Sequence, residues 1–150
     1  MVDFTTRYCG LTLKNPLVPS SGPLTGNLDD ARRLEDAGAA ALILPSLFEE
    51  ELIHEQEHLH RFMDMQDIGH HEADSFLPTV HPCASRLDRM LETIVRYKQS
   101  LSIPVVASLN GVTDSGWIEY AQDLQAAGCD AIELNLFGVE PGVETRSGMV

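Results

Sequence analysis

The stretch Leu34–Leu44, LEDAGAAALIL, decides the fold, because the chain repeats its pattern at Leu124–Leu134, LQAAGCDAIEL. Each copy predicts the end of a helix, an Ala-Gly stop and then a short apolar strand. Glycine at such a stop can adopt the left-handed backbone that closes a helix. The strand follows after the short connection that is typical of α/β units. Two such units predict alternating strands and helices that build a parallel sheet.

The strands predicted around these two units extend the alternation along the whole chain. A small β-hairpin is predicted at Thr5–Tyr8 and Leu11–Leu13. It precedes four strands, predicted at Leu17–Ser20, Ala40–Leu44, Pro104–Ser108 and Ala131–Asn135. The order is therefore a hairpin followed by four βα units, and the last helix has barely begun at Val150.

The helices are predicted from caps and from apolar periodicity. Asn27 is a good N-cap, and the capping-box spacing of Ser46–Glu49 predicts the start of a strongly acidic helix. A helix over Ser85–Lys98 has one apolar face, made of Leu87, Met90, Leu91, Ile94 and Val95. The next helix faces inward with Trp117, Ala121 and Leu124. Residues 62–84 show no clear period and are predicted to be a long loop.

The composition excludes several classes of partner and of location. The 150 residues carry a formal net charge of -13, which repels nucleic acid and anionic lipid. No apolar run is long enough to span a bilayer, and Met1–Gly10 lacks the basic start and apolar stretch of a signal peptide. The three cysteines are an odd number without close spacing. Together these features predict a reduced, cytoplasmic protein.

Small polar residues and glycine lie at the carboxyl end of each predicted strand. The positions are Ser20, Ser21 and Gly22 at the first strand, Ser46 at the second, Ser108–Gly111 at the third, and Asn135 with Gly138 at the fourth. In parallel α/β folds the carboxyl ends of the strands form the active site. Ser and Asn offer neutral donors and acceptors for the edge of a flat heteroaromatic ligand. The alternative is that Ser, Asn and Gly are simply common turn residues.

The segment Gly10–Val18 followed by Ser20–Gly22, together with Ser108–Gly111 and Glu133–Leu136, resembles dihydroorotate dehydrogenases, near class 1. This resemblance implies a TIM-type (β/α)8 barrel that holds FMN, of which residues 1–150 form the N-terminal half with the first four βα units. A complete barrel needs about 250 residues. The resemblance further implies a homodimer and a small-molecule substrate, oxidised at a CH–CH bond with hydride transfer to the flavin, as in pyrimidine biosynthesis.

The same resemblance implies a set of site residues. Ser20, Ser21 and Gly22 correspond to the segment that lies against the flavin, and Ser46 and Ser108 correspond to positions near it. Asn135 corresponds to an asparagine between flavin and substrate. The chain departs from the family pattern at three places, with Pro45 at the position of a lysine, Ala73 or Asp74 at that of a substrate-binding asparagine, and Gly138 at that of the general base. Glycine cannot accept a proton, so Glu140 is the remaining candidate for a catalytic acceptor.

A competing motif lies at His54–His58, which reads HEQEH and fits the zinc pattern H-E-x-x-H. On a helix, His54 and His58 share a face as metal ligands and Glu55 acts as the general base. His71 or Glu72 could supply a third ligand. The surrounding residues are acidic and predict a solvated helix without a metal site, so a zinc hydrolase is the second hypothesis. A catalytically silent half-barrel fragment is the third.

Overall fold

The computed structural model describes residues 2–67, 84–113 and 115–136. The elements follow in the order β1 (Thr6–Tyr8), β2 (Leu11–Leu13), α1 (Leu28–Asp36), β3 (Leu42–Phe48), α2 (Glu49–Asp67), α3 (Arg86–Ser100), β4 (Val105–Gly111), α4 (Trp117–Ala126) and β5 (Ala131–Leu136). Strands β1 and β2 pair in an antiparallel hairpin. Strands β3, β4 and β5 form a parallel sheet in that order. The predicted mixed α/β fold with a parallel sheet is confirmed.

The predicted strand at Leu17–Ser20 lies outside this sheet, so the described residues contain three parallel strands where the sequence predicts four. The segment does run beside β3, because the carbonyl oxygen of Leu17 accepts from Ala40 N at 2.9 Å and that of Pro19 accepts from Ile43 N at 3.0 Å. Proline has no N–H to return a hydrogen bond. The segment is therefore held to β3 from one side only and does not form a regular ladder.

The start of α2 also differs from the prediction. Ser46 lies inside β3, opposite Ser108 of β4, and α2 begins at Glu49 directly after the strand. The predicted capping box at Ser46 is therefore wrong, because pairing with β4 keeps this segment extended. The helix continues to Asp67, so the predicted loop does not include residues 62–67. The rest of that loop, apart from its last residue, lies outside the described residues.

The other helix ends agree with their sequence signals. Gly38 and Gly128, the two predicted stops, have φ of +104° and +95°, the left-handed backbone that favours glycine. Asn27 Oδ1 accepts from Asp29 N at 2.9 Å at the start of α1. Ser85 caps α3 through a reciprocal capping box with Asp88. These local signals predict the helix boundaries because they depend on neighbouring residues alone.

One face of the sheet packs on the helices and forms the core. Leu47, Leu109 and Leu134 stand in register across β3, β4 and β5 and belong to this core. Leu124 of α4 is fully buried there, and Trp117 and Ala121 pack against it, as the sequence predicts.

Two further packing contacts lie on α3 and at the hairpin. Val95, predicted on the apolar face of α3, is 41% exposed. Tyr97 of the same helix is buried instead, and its hydroxyl donates to the carbonyl oxygen of Thr25 at 3.0 Å. At the hairpin, Leu13 packs against Ala40 and Ala41. Across the described ranges, no helix combines the length and the apolar character that a bilayer crossing needs.

Candidate functional site

The second face of the sheet carries a row of polar side chains. Because side chains alternate along a strand, the residues next to the core leucines point away from the helices. The register places Ser46, Ser108 and Glu133 side by side across β3, β4 and β5. Asn110 and Asn135 form a second pair nearer the carboxyl ends. The sheet therefore presents polar groups at the edge where parallel α/β folds bind ligands.

Hydrogen bonds join these side chains into one continuous chain, which we call the polar row: Ser21, Ser46, Ser108, Glu133 and Asn135. The Ser21 and Ser46 hydroxyl oxygens are 3.3 Å apart, and those of Ser46 and Ser108 are 2.9 Å apart. Ser108 Oγ donates to Glu133 Oε1 at 3.2 Å, and Asn135 Nδ2 donates to the same oxygen at 3.1 Å. Four residues that the sequence predicts for one site thus lie together.

The other two predicted contact residues sit beside the polar row without joining it. Ser20 is exposed. Gly22 accepts at its carbonyl oxygen from Thr25 Oγ1 and donates from its N–H to the same hydroxyl, which holds the turn after Ser21. A Cβ added at Gly22 would approach only the carbonyl oxygen of Ser20, at 3.8 Å, among the described atoms. The fold around Gly22 therefore leaves room for a flat group to approach the backbone.

Glu133 is the member of the polar row that the sequence analysis missed as a site residue. It lies in a strand that reads as apolar, and its carboxylate is half-buried. A signal was present, because Ala131, Glu133 and Asn135 alternate and must share one face of a strand. Choosing Asn135 as a site residue therefore also selects Glu133.

The chemistry of the polar row suits the edge of a neutral ring. Hydroxyl and amide groups both donate and accept hydrogen bonds. None of the five side chains is positively charged, so the row offers no cationic partner for a phosphate group. Ser108 has 0% of its surface exposed, and its hydroxyl contacts the hydroxyl of Ser46, which is partly exposed. The residues that can touch a ligand directly are thus Ser21, Ser46 and Asn135.

A second carboxylate, Glu49, connects the start of α2 to the loop that follows β4. It is 1% exposed, and its Oε2 accepts from Val112 N at 2.6 Å and Thr113 N at 3.0 Å, while Oε1 accepts from Thr113 Oγ1. Burial acts to raise the pKa of Glu49, but these hydrogen bonds to the charged form outweigh it, and the pKa lies below its ordinary value. We call this arrangement the Glu49 clasp.

The HEQEH motif does not assemble a metal site in the described part of the chain. His54 is 74% exposed and lies 4.0 Å from Glu57, and His58 is exposed on the same helix. Glu55, the predicted general base, instead accepts from Arg86 N at 3.1 Å and ties α2 to α3. No three metal-binding side chains cluster within the described ranges. The zinc hydrolase hypothesis is therefore unsupported; its third ligands, His71 and Glu72, lie outside those ranges.

Among the residues that depart from the family pattern, Pro45 lies within the described part of the chain. Pro45 lies in β3 at the irregularity in its pairing with β4, and it is half-buried. The predicted positions Ala73, Asp74, Gly138 and Glu140 lie outside the described residues. The catalytic proton acceptor stays unassigned.

Fold and polar row together define an α/β protein with a hydrogen-bonded polar cluster near the carboxyl ends of parallel strands. The chain is 30% identical over 149 residues to dihydroorotate dehydrogenase B (NAD(+)), catalytic subunit, of Thermoplasma acidophilum, a match that covers 95% of this chain and 46% of that relative. It is 29% identical over 137 residues to a putative dihydroorotate dehydrogenase A (fumarate) of Aeropyrum pernix, covering 89% of this chain and 41% of that relative. No protein-family model matches the chain.

The predicted resemblance to dihydroorotate dehydrogenases is confirmed by these two similarities, which extend over nearly the whole chain. The chain spans less than half the length of the curated relatives it matches. A parallel sheet of this kind is compatible with part of a TIM-type barrel.

Proposed function

We propose that this chain forms the N-terminal half of an FMN-binding (β/α)8 barrel and that the whole protein is an oxidoreductase of the dihydroorotate dehydrogenase type. Residues 1–150 would supply four βα units, with the Leu17–Ser20 segment completing the first of them beside β3. The single observation that carries the proposal is the polar row, because it brings Ser21, Ser46, Ser108 and Asn135 together at the edge where such barrels bind ligands.

The proposal gives each described residue a role. Ser21 and Ser46 bind the edge of the flavin ring, and Gly22 lets the ring approach the backbone. Ser108, which is fully buried, positions the Ser46 hydroxyl through their hydrogen bond at 2.9 Å. Asn135 lies between the ring and a small-molecule substrate. Ser20, although exposed, stays a predicted contact.

FMN, when bound, would supply the acceptor for the hydride. The protein's own residues bind and orient the ring and the substrate. The polar row carries no positive charge, so we expect the phosphate of FMN to be held elsewhere in the protein. The predicted homodimer is part of the same proposal. The catalytic proton acceptor stays unassigned, with Glu140 as a candidate.

The direct test is to purify the full-length protein and record its visible spectrum. Flavin absorption bands, with FMN released on denaturation, are expected; their absence after reconstitution with FMN would refute the proposal. Ser46→Ala should weaken FMN binding by about fivefold, since one hydrogen bond is worth about 1 kcal/mol. Ser102→Ala is a matched control, because Ser102 Oγ also donates a hydrogen bond, to Glu35, but lies before β4 at the opposite end of the sheet.

A second measurement separates an active enzyme from a silent one. Dihydroorotate added to the flavin-loaded protein without oxygen should bleach the flavin bands. Retained FMN without bleaching would support the hypothesis of a catalytically silent protein that kept its cofactor site.

A further inference from the structure

The hydrogen atoms in the polar row can be assigned one by one. A serine hydroxyl has a single hydrogen to donate. Ser108 donates its hydrogen to Glu133 Oε1, so in the contact between Ser46 and Ser108 the donor must be Ser46. Ser46 has then used its hydrogen, so in the contact between Ser21 and Ser46 the donor must be Ser21. The three hydroxyls therefore all point toward Glu133.

This assignment determines what Ser21 can offer to a ligand. Its only hydrogen is used within the row, so only the lone pairs of its Oγ remain. At the other end, Asn135 donates one amide hydrogen to Glu133 Oε1, which orients the amide and leaves Oδ1 as an acceptor and the second Nδ2 hydrogen as a donor. Each end of the row thus presents an acceptor atom, and the cause in both cases is the same carboxylate oxygen.

We propose that Glu133 is a positioning residue that directs the serine hydroxyls so that Ser21 accepts, and never donates, a hydrogen bond from the bound ligand. The ligand edge over Ser21 must then carry an N–H or O–H donor, as the imide N–H of a flavin ring does. This inference rests on the proposed function and names the part of the ring that the site selects.

Replacing Glu133 by glutamine keeps a polar side chain in the row but no longer forces the serine hydroxyl hydrogens to point toward position 133. A carboxylate only accepts hydrogen bonds, whereas a carboxamide also donates. In Glu133→Gln the side-chain NH₂ can donate to Ser108, and each serine can then donate to the next, toward Ser21. The Ser21 hydrogen becomes free to donate to an acceptor on the ligand, while its Oγ still accepts, so the preference of the site for a donor ligand is weakened.

The test compares FMN with N3-methyl-FMN, which lacks the imide hydrogen, in the full-length protein. Wild type should bind FMN about five- to tenfold more tightly than the methylated analogue, and Glu133→Gln should lower this ratio. Ser21→Ala should abolish the preference, and adding Glu133→Gln to it should have no further effect. Glu92→Gln is the matched control, because Glu92 is an exposed carboxylate on α3 and should leave the ratio unchanged.

An unchanged ratio in Glu133→Gln, or no discrimination by wild type, would overturn the proposal. A steric penalty from the methyl group alone is recognised because it would persist in Ser21→Ala.

A second readout keeps this test separate from the proposed function. The side-chain amide resonances of Asn135 in a ¹H–¹⁵N spectrum should shift in Glu133→Gln and stay in place in Glu92→Gln, with no flavin added. Unshifted resonances would show that Glu133 does not orient Asn135, whatever the protein binds. If the resonances shift but neither flavin binds, the orientation by Glu133 stands, while the FMN proposal and the ligand assignment at Ser21 both fail.

Discussion

Removal of the Glu49 carboxylate should destabilise the protein more strongly than removal of an ordinary polar side chain. Glu49 Oε2 accepts from Val112 N and Thr113 N, and Oε1 accepts from Thr113 Oγ1. A hydrogen bond to a charged group contributes about 1.5–3 kcal/mol. Val112 and Thr113 are exposed, so water can replace part of what is lost. We therefore expect Glu49→Ala to lower the free energy of unfolding by about 3 kcal/mol, well below the sum of the three hydrogen bonds.

Glu49→Gln should have a smaller effect, about 1–2 kcal/mol, because the amide keeps one acceptor oxygen and loses the charge. The measurement is urea unfolding of the full-length protein. The midpoint of thermal unfolding for Glu49→Ala should fall as well, by less than the roughly 2–4 °C per kcal/mol that holds for proteins of about 150–250 residues. Glu50→Gln is the matched control, since Glu50 is the exposed neighbour on the same helix and should change the stability by less than about 0.5 kcal/mol.

The pH dependence gives an independent check of the same reasoning. The pKa of Glu49 is lowered in the folded protein, so its stabilising effect is fully present above the ordinary pKa of a glutamate. That effect is lost as the pH falls through the lowered folded pKa. The stability difference between wild type and Glu49→Gln should therefore shrink as the solution is acidified across this range. A difference that is constant with pH, or equal stability of Glu49→Ala and wild type at neutral pH, would refute the clasp.

Four further substitutions have expected outcomes. Gly116→Ala should destabilise the protein by about 1–3 kcal/mol in urea unfolding, because the added methyl would collide with the Glu49 carboxylate. Gly22→Ala should leave the unfolding midpoint unchanged but weaken FMN binding at least tenfold by titration; unchanged affinity would remove Gly22 from the site. Asp130→Ala should cost about 2 kcal/mol, since its Oδ2 accepts from a backbone N–H at 2.7 Å, whereas Lys98→Ala, which removes only a half-exposed ion pair, should cost less than about 1 kcal/mol. Equal losses for these last two would contradict that division.

Local signals in the sequence predict a helix boundary only where the sheet does not compete. Ser85–Asp88 and Ser46–Glu49 have the same capping-box spacing, and only the first forms the box. Ser85 precedes a helix and pairs with no strand among the described residues, whereas Ser46 has a register partner in Ser108. Strand pairing is a contact between distant parts of the chain, so no local pattern reveals it. The same reason explains why β3 extends beyond the predicted Ala40–Leu44.

The position of the candidate site could be predicted from the sequence, but the donor and acceptor of each hydrogen bond within it could not. Alternation along a strand and the shared edge of a parallel sheet were enough to place Ser46, Ser108 and Asn135 together. The role of Glu133 depends on which atom donates in each contact, and that follows only from the distances and the single hydrogen of each hydroxyl. A list of polar residues at strand ends contains no such information.

Substitutions at Glu49 and Glu133 should have different effects, the first on stability and the second on ligand selection. Burying a charge is costly unless hydrogen bonds compensate it, and most acidic residues in the described part of the chain avoid the cost by staying exposed, as Glu50 and Glu57 of α2 do. Glu49 receives its hydrogen bonds from a loop, so its loss releases the chain after β4. Glu133 receives them from side chains, and glutamine can replace it there without leaving a polar group unpaired. Glu49→Gln should thus lower stability at an unchanged FMN to N3-methyl-FMN ratio, and Glu133→Gln should change that ratio at nearly unchanged stability.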